Sequence, residues 1–336
     1  PSSARPCLTR HSSTYRIYKT NKNVETALMK HRLRFASLAL SMTLASGAAM
    51  ADVKIGVSMS QFDDTYLTYL RESMNERAKS NPEGVQLQFE DARADVVKQL
   101  SQVENFISQK VDAIVVNPVD TAATRKITEA AVKAGIPLVY VNRRPDDEKL
   151  PLGVATVASK DREAGQMQME YLAKKMGGKG DIVILLGDLA NNATTNRTKG
   201  VKEVLAKYPD IKVDQEQTGI WLRDKGMTLT NDWLTQGRKF DAVISNNDEM
   251  AIGAAMALKQ AGIEPGTVLI AGVDGTPDGV RAVEKGELAV TVFQDAKGQA
   301  YGSVDTALKM INKEPVEQAV WVPFQLITKD NAKDFK

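Results

Sequence analysis

The chain of 336 residues is 43% hydrophobic and 26% charged, the balance of a folded globular protein with room for two domains rather than of a disordered or membrane-embedded one. Its formal charge of +2 is unevenly spread. Residues 1–51 carry eight bases (Arg5, Arg10, Arg16, Lys19, Lys22, Lys30, Arg32 and Arg34) against one acid, Glu25, so residues 52–336 carry −5 and lack the basic footprint of a nucleic-acid binder.

The basic start Met29-Lys30-His31-Arg32-Leu33-Arg34, the apolar run from Phe35 to Leu44 and the small residues ending in Ala49-Met50-Ala51 make a secretory signal over 29–51. Cleavage is expected after Ala51, and no Cys follows it to take a lipid. The apolar run is too short for a bilayer anchor. Residues 1–28 have no periodic pattern and read as a leader or over-extended start, expected to be disordered. Cleavage would also remove Cys7, His11 and His31, the only Cys and His residues of the chain. Residues 52–336 therefore exclude Cys and His nucleophiles, Ser-His-Asp triads, disulfides and zinc sites of the usual kind, and they imply neither a metal nor a cofactor.

Short β-branched runs then alternate with helical stretches. Val53–Met59 is the first strand, a helix follows Thr65, and Val85–Glu90 is the next strand. The spacing of Val96, Leu100, Val103 and Ile107 predicts an amphipathic helix over Val96–Gln109 with those four on its buried face. Ala113–Val116 is an apolar run without alternation, as in a parallel strand covered on both sides. A helix over 122–134 stops at Gly135, and Pro137 precedes the strand Leu138–Asn142. Further strands are expected at Asp181–Leu186, Ala242–Ser245, Val268–Val273 and Ala289–Gln294. Strict alternation argues for parallel α/β sheets. An internal echo, Asp112-Ala113-Ile114-Val115-Val116-Asn117 against Asp241-Ala242-Val243-Ile244-Ser245-Asn246, each leading through a helix to Ala-Gly-Ile, suggests two lobes of similar build. The first strand has only Gly56 where a dinucleotide fold has GxGxxG, and Met176-Gly177-Gly178-Lys179-Gly180 follows a helix, so it reads as a helix stop.

Several segments, in order, resemble the ribose-type branch of periplasmic sugar-binding proteins of ABC importers. They are Val116-Asn117-Pro118-Val119-Asp120, Gly135-Ile136-Pro137-Leu138-Val139-Tyr140-Val141-Asn142-Arg143, Asn246-Asn247-Asp248-Glu249-Met250-Ala251-Ile252-Gly253-Ala254, Ala271-Gly272-Val273-Asp274-Gly275-Thr276-Pro277-Asp278-Gly279 and Val290-Thr291-Val292-Phe293-Gln294-Asp295. The Phe62-Asp63-Asp64 turn and the Phe293-Gln294-Asp295 end are closer to inositol-binding members. The resemblance implies two Rossmann-like lobes with parallel sheets, the type I periplasmic binding protein fold, joined by a three-crossover hinge. One lobe would comprise 52–159 plus 295–322 and the other 160–294 plus 323–336.

A neutral polyol both donates and accepts hydrogen bonds, so its site needs carboxylates, amides, guanidinium groups and flat rings converging at strand ends. The resemblance and this chemistry together select Asp64, Tyr66, Asn142, Arg143, Arg197, Trp221, Asn247, Asp274 and Gln294, with Phe62 as a further ring. Plainer readings stand beside them: Asp64 as a helix cap, Asn142 and Arg143 as the start of a polar loop, Arg197 as a surface charge, Trp221 as core, Asp274 as a turn residue. Asp248 is expected to cap the helix after Asn247. Gln294 falls where a crossover begins and could serve hinge and contact. Ribose receptors carry a binding Arg where this chain has Thr195, which argues against ribose.

The resemblance implies a periplasmic, monomeric, non-enzymatic binder of a small polyol or sugar, serving a membrane permease of an ABC importer, with a chemoreceptor as a further candidate partner. Myo-inositol or an amino-inositol of the rhizopine type is the expected ligand and a pentose or hexose the alternative. The rivals are a transcription regulator of the lactose-repressor type, which would need a helix-turn-helix where the signal peptide stands, and a glycosidase using two carboxylates.

Overall fold

The structure is a computed structural model that describes residues 53–82, 84–146 and 149–335. The leader at 1–28, the signal peptide at 29–51 and its cleavage after Ala51 lie outside the described residues.

Two six-stranded sheets carry the fold. The first is built from β1 (Val53–Met59), β2 (Val85–Asp91), β3 (Ala113–Val116), β4 (Leu138–Asn142), β5 (Val154–Ala158) and the late strand β11 (Ala319–Trp321), ordered β11-β5-β4-β3-β1-β2. The second is built from β6 (Lys179–Leu186), β7 (Asp210–Thr218), β8 (Ala242–Ser245), β9 (Leu269–Asp274), β10 (Val290–Phe293) and β12 (Gln325–Ile327), ordered β12-β10-β9-β8-β6-β7. Every pairing is parallel except that of β12 with β10, which departs from the all-parallel expectation at one edge. The connecting helices are α1 (Thr65–Lys79), α2 (Val96–Ser108), α3 (Arg125–Ala134), α4 (Asp161–Lys175), α5 (Asn192–Leu205), α6 (Arg223–Thr235), α7 (Asp248–Gln260), α8 (Pro277–Lys285) and α9 (Ala296–Ile311). The chain crosses between the sheets three times: from β5 into α4, from β10 into α9 and from β11 into β12.

Local chemistry sets the helix ends. Asp64, Asp95, Thr276 and Asp295 each accept a hydrogen bond from a backbone N–H of the first turn of α1, α2, α8 and α9, and Gly135 and Gly286 close α3 and α8 in the left-handed conformation. The helix expected over 122–134 begins three residues later, at Arg125, and Thr124 at its N-cap makes no side-chain capping bond.

The internal echo has a physical counterpart. β3 and β8 occupy equivalent places in their sheets. Asp112 Oδ2 accepts from Lys54 N and Asp241 Oδ2 from Asp181 N, both at 2.8 Å, so each carboxylate ties its strand to the start of the neighbouring one. Asn117 and Asn246 repeat the device at the other end: their backbone N–H groups bond the carbonyls of Ser58 and Leu185 at 2.9 Å.

One expected face is rotated. The most buried residues of α2 are Gln99, Gln102, Val103 and Phe106, while Val96, Leu100 and Ile107 are half-buried. The two glutamines satisfy sheet-end polar groups: Gln102 accepts from Ser58 Oγ at 2.7 Å and donates to the Asp91 carbonyl, and Gln99 donates to the Asn117 carbonyl and accepts from Val119 N. Polar atoms that must be buried beside the sheet decide the orientation that apolar periodicity alone left to the valines and leucines. Gly56 is the steric partner of Phe106, whose ring fills the place a Cβ would take.

In the second lobe α4 and α5 touch backbone to backbone. A Cβ on Gly165 would overlap the Arg197 carbonyl, and one on Gly200 would overlap the carbonyl of Arg162. In an open helix Gly→Ala adds about 1 kcal/mol of stability, whereas overpacking costs about 1–3 kcal/mol. Gly165→Ala is therefore expected to lower the thermal unfolding midpoint, and calorimetry showing it unchanged or raised would contradict this helix contact.

Candidate functional site

The carboxyl ends of both sheets face one cleft, where open α/β sheets place their ligands. It is lined by Asp64, Tyr66 and Leu67 from α1 and the turn before it, Asn142 and Arg143 from the end of β4, Ala193 and Arg197 from α5, and Trp221, Asn247, Asp274 and Gln294 from the loops after β7, β8, β9 and β10. Its cavity volume is only about 30 Å³, so the walls lie close to one another.

Nine of the ten residues selected from the sequence thus meet in one cleft, and the tenth does not. The Phe62 ring is engaged elsewhere: the Arg71 guanidinium lies 4.0 Å over it while Arg71 Nη2 donates to the Phe62 carbonyl at 2.7 Å. The chain turns after β1 so that Asp64 and Tyr66, not Phe62, reach the cleft. Asp64 fills both of its readings, since Oδ1 caps α1 through Leu67 N at 2.9 Å while the residue lines the cleft. Asn247, rather than Asp248, is the cap of α7, accepting from Met250 N at 3.0 Å. Asp248 is instead buried between β10 and the turn after β9, accepting from Thr291 Oγ1 at 2.5 Å, Thr276 N at 2.8 Å and Thr276 Oγ1 at 3.2 Å. Thr195 is exposed, whereas Arg197, two residues on and on the inner face of α5, is 4% exposed and no surface charge.

Arg197 organises the second lobe's side of the cleft. Nε donates to Asp161 Oδ1 at 2.9 Å, Nη1 to the Asn246 carbonyl at 2.7 Å and Nη2 to Gln294 Oε1 at 3.1 Å, and Asp274 Oδ1 lies 3.6 Å from Nη1. Trp221 and Phe324 present their rings to the guanidinium at 5.7 and 6.0 Å. Trp221 packs over Gly187, where a side chain would collide with the indole. On the first lobe's side, Arg143 Nη1 donates to the Pro118 carbonyl at 3.1 Å. The Asn142 amide is held at both ends: Oδ1 accepts from Asn117 Nδ2 at 3.3 Å and Nδ2 donates to Gln299 Oε1 at 3.2 Å.

Three lining residues adopt positive φ: Asn142 at 66°, Trp221 at 71° and Asp274 at 118°. Strain of this kind persists where surrounding structure over-determines it, and it gathers at functional sites. Two buried polar atoms in the lining, the Tyr66 hydroxyl and Gln294 Nε2, have no hydrogen-bond partner in the protein. An unmade buried hydrogen bond costs about 1–3 kcal/mol, so a cleft that keeps two such groups is poised for polar atoms from outside the chain.

Sequence reasoning missed Asp161, Asn191 and Gln299. Asp161 stands at the first position of α4, where an acid is expected for the helix dipole alone. Only the fold reveals that its carboxylate, 8% exposed, neutralises Arg197. Burial raises the pKa of Asp161, of Asp64 and, most strongly, of Asp274, against the pull of Arg197 on the first and third and of Arg143 on the second. Burial lowers that of Arg143, with Asp64 opposing. Burial also disfavours the charge of Arg197, but Asp161 and Asp274 outweigh it and its pKa is raised. Among the described residues no group of His, Cys, Asp and Glu is placed to hold a metal ion.

Residues 55–315 match the periplasmic binding protein domain. The chain belongs to the periplasmic binding protein family. A provisionally named rhizopine-binding protein of Rhizobium meliloti is 49% identical over 296 residues, covering 87% of this chain and 95% of the relative. A xylitol-binding protein of Mycolicibacterium smegmatis is 37% identical, covering 84% of this chain and 80% of the relative. Among solved structures, an ABC transporter solute-binding protein of Bacillus halodurans with bound myo-inositol superposes with a TM-score of 0.81 at 40% identity, covering 86% of this chain and 98% of that one. The family's members are periplasmic solute-binding proteins rather than enzymes, and the fold expected from the sequence is the fold found.

The buried carboxylates carry a pH dependence. Burial pushes Asp248 up to about 7 against the hydrogen bonds of Thr291 and Thr276, and Asp64, Asp161 and Asp274 are shifted the same way. Between the ordinary Asp value of about 4 and these raised values the folded protein holds protons that the unfolded chain releases, so this stability is full below pH 4 and is lost as pH rises through the folded value. The denaturant midpoint of the ligand-free protein is expected to fall between pH 5 and pH 8, and the fall should shrink in Asp248→Asn. A midpoint that climbs across that window would contradict the assignment.

Proposed function

We propose that this protein captures a cyclitol, myo-inositol or an amino-inositol of the rhizopine type, between lobes formed by residues 52–159 with 295–322 and 160–294 with 323–336, and presents it to the membrane permease of an ABC importer. The protein reaches the periplasm through a signal peptide cleaved after Ala51, and the ligand leaves chemically unchanged.

The observation that carries this reading is the polar balance of the cleft. Two carboxylates, Asp64 and Asp274, face two guanidinium groups, Arg143 and Arg197, and the Tyr66 hydroxyl and Gln294 Nε2 are left without protein partners. Acids and guanidinium groups set side by side supply acceptors and donors together, which suits vicinal hydroxyls, each of which gives one hydrogen bond and takes others. Trp221 offers the flat face that covers the C–H groups of a ring. The Bacillus halodurans structure with myo-inositol and the rhizopine-named relative point to the same chemical class. Catalysis would need a nucleophile or an acid–base pair free to act, and the two carboxylates that face the cleft are committed to capping α1 and to Arg197.

A hydrogen bond to a charged group contributes about 1.5–3 kcal/mol. Asp274→Ala and Arg143→Ala are each expected to weaken cyclitol binding roughly ten- to a hundredfold by calorimetry. A thermal-shift panel of myo-inositol, an amino-inositol, pentoses and hexoses tests the ligand class, because bound ligand raises apparent stability by mass action. Stabilisation by ribose or a hexose with none from the cyclitols would replace the cyclitol reading by the sugar one.

A further inference from the structure

At one corner of the cleft the two lobes are hydrogen-bonded directly to each other. Thr121 N donates to the Ala190 carbonyl at 3.0 Å, and Asn192 N donates to Thr121 Oγ1 at 3.1 Å. Asn192 Nδ2 reaches back to the Arg144 carbonyl at 2.8 Å and Asp146 Oδ1 at 2.9 Å. Asn191 Nδ2 donates to the Val119 carbonyl at 2.9 Å. Residues 119–121, 144 and 146 belong to loops of the first sheet, and residues 190–192 lead into α5 of the second.

Asn191 differs from the rest because its other end reaches the cleft. Its Oδ1 accepts from Trp221 Nε1 at 2.9 Å. An indole N–H can only donate and a carbonyl can only accept, so the two partners fix which end of the amide faces which way. Asn191 is 1% exposed and stands at the N-cap of α5, yet its side chain makes no capping bond to that helix. An Asn at this position ordinarily caps its helix, and here that bond is forgone for a bridge between lobes. The Val119 carbonyl it takes is next to the Pro118 carbonyl that holds Arg143. A continuous path therefore joins Trp221, Asn191, the 118–119 backbone and Arg143, with a cleft residue from each lobe at its two ends.

We infer that Asn191 is a positioning residue for ligand retention: by tying Trp221 of one lobe to the loop that seats Arg143 in the other, it makes the grip on the guest depend on closure at this corner. This rests on the cleft being the ligand site. Because the bridge exists only when the lobes are together, its loss speeds ligand escape and leaves entry into the open form little changed.

Asn191→Asp keeps an oxygen for Trp221 Nε1 and replaces the donor that Val119 needs by a second oxygen, while Asn191→Ala removes both bonds. By stopped-flow tryptophan fluorescence on the whole chain, both variants are expected to raise the dissociation rate of the best cyclitol about tenfold, with the association rate within about twofold of wild type. A residue that merely supports the fold would lower the thermal midpoint and leave these rates alone. Wild-type dissociation in both variants overturns the inference. If the wild-type protein binds no member of the polyol panel, the ligand reading fails and the bridge is judged without ligand. Spin labels at Leu152→Cys and Met256→Cys, in a Cys7→Ser background, then report the distance between lobes. The closed-distance population is expected to shrink severalfold in Asn191→Asp, and an unchanged distribution overturns the inference.

Discussion

Arg197 holds a full positive charge inside the protein, and much of the second lobe's cleft wall is arranged around it. Taking a guanidinium out of water costs several kcal/mol unless its donors are met and its charge is balanced. Here every nitrogen has a partner: Asp161 from the first turn of α4, the Asn246 carbonyl from the end of β8, Gln294 from the second crossover and Asp274 from the end of β9. Four separate elements thus converge on one side chain. Its position is over-determined, which is what a binding group needs if it is to meet a ligand without reorganising.

That convergence is possible because α4 and α5 approach closely enough for Gly165 and Gly200 to be obligatory. A pair of ordinary helices would hold Arg197 farther from β8 and β9. On the opposite wall the same logic operates with neutral groups. Asn142, held at φ 66°, has its amide gripped by Asn117 and by Gln299, and Gln299 in turn donates to Ser159 Oγ at 2.8 Å in the first crossover. A chain of buried amides therefore joins the cleft residue Asn142 to Ser159 in the first crossover.

The Tyr66 hydroxyl and Gln294 Nε2 show the complementary feature, polar atoms of the cleft lining left without a partner in the protein. A wall that satisfied itself completely would bind nothing. The compromise is visible as positive φ at Asn142, Trp221 and Asp274, strain that the surrounding packing sustains.

Much of this was legible before any coordinates. Strand order in time, the alternation of β and α, the Gly and Asp punctuation of helices and the repeated Asp-to-Asn segments are local properties, and local stereochemistry fixes them. The resemblance and polyol chemistry together also select Asp64, Tyr66, Asn142, Arg143, Arg197, Trp221, Asn247, Asp274 and Gln294, most of them near the ends of parallel strands, which open on one side of a sheet. Other features depended on distance in space. That Phe62 stacks on Arg71, that Asp161 rather than solvent balances Arg197, that Asp248 lies under Thr276 and Thr291, and that Asn191 forgoes its helix to bridge two loops are all decided by partners 9 to 72 positions away. Composition and periodicity determine which groups a strand end offers. Only the packed tertiary structure determines which of them must neutralise one another and which remain open to a guest, because hydrogen bonds and charges are settled by proximity that the linear order does not contain.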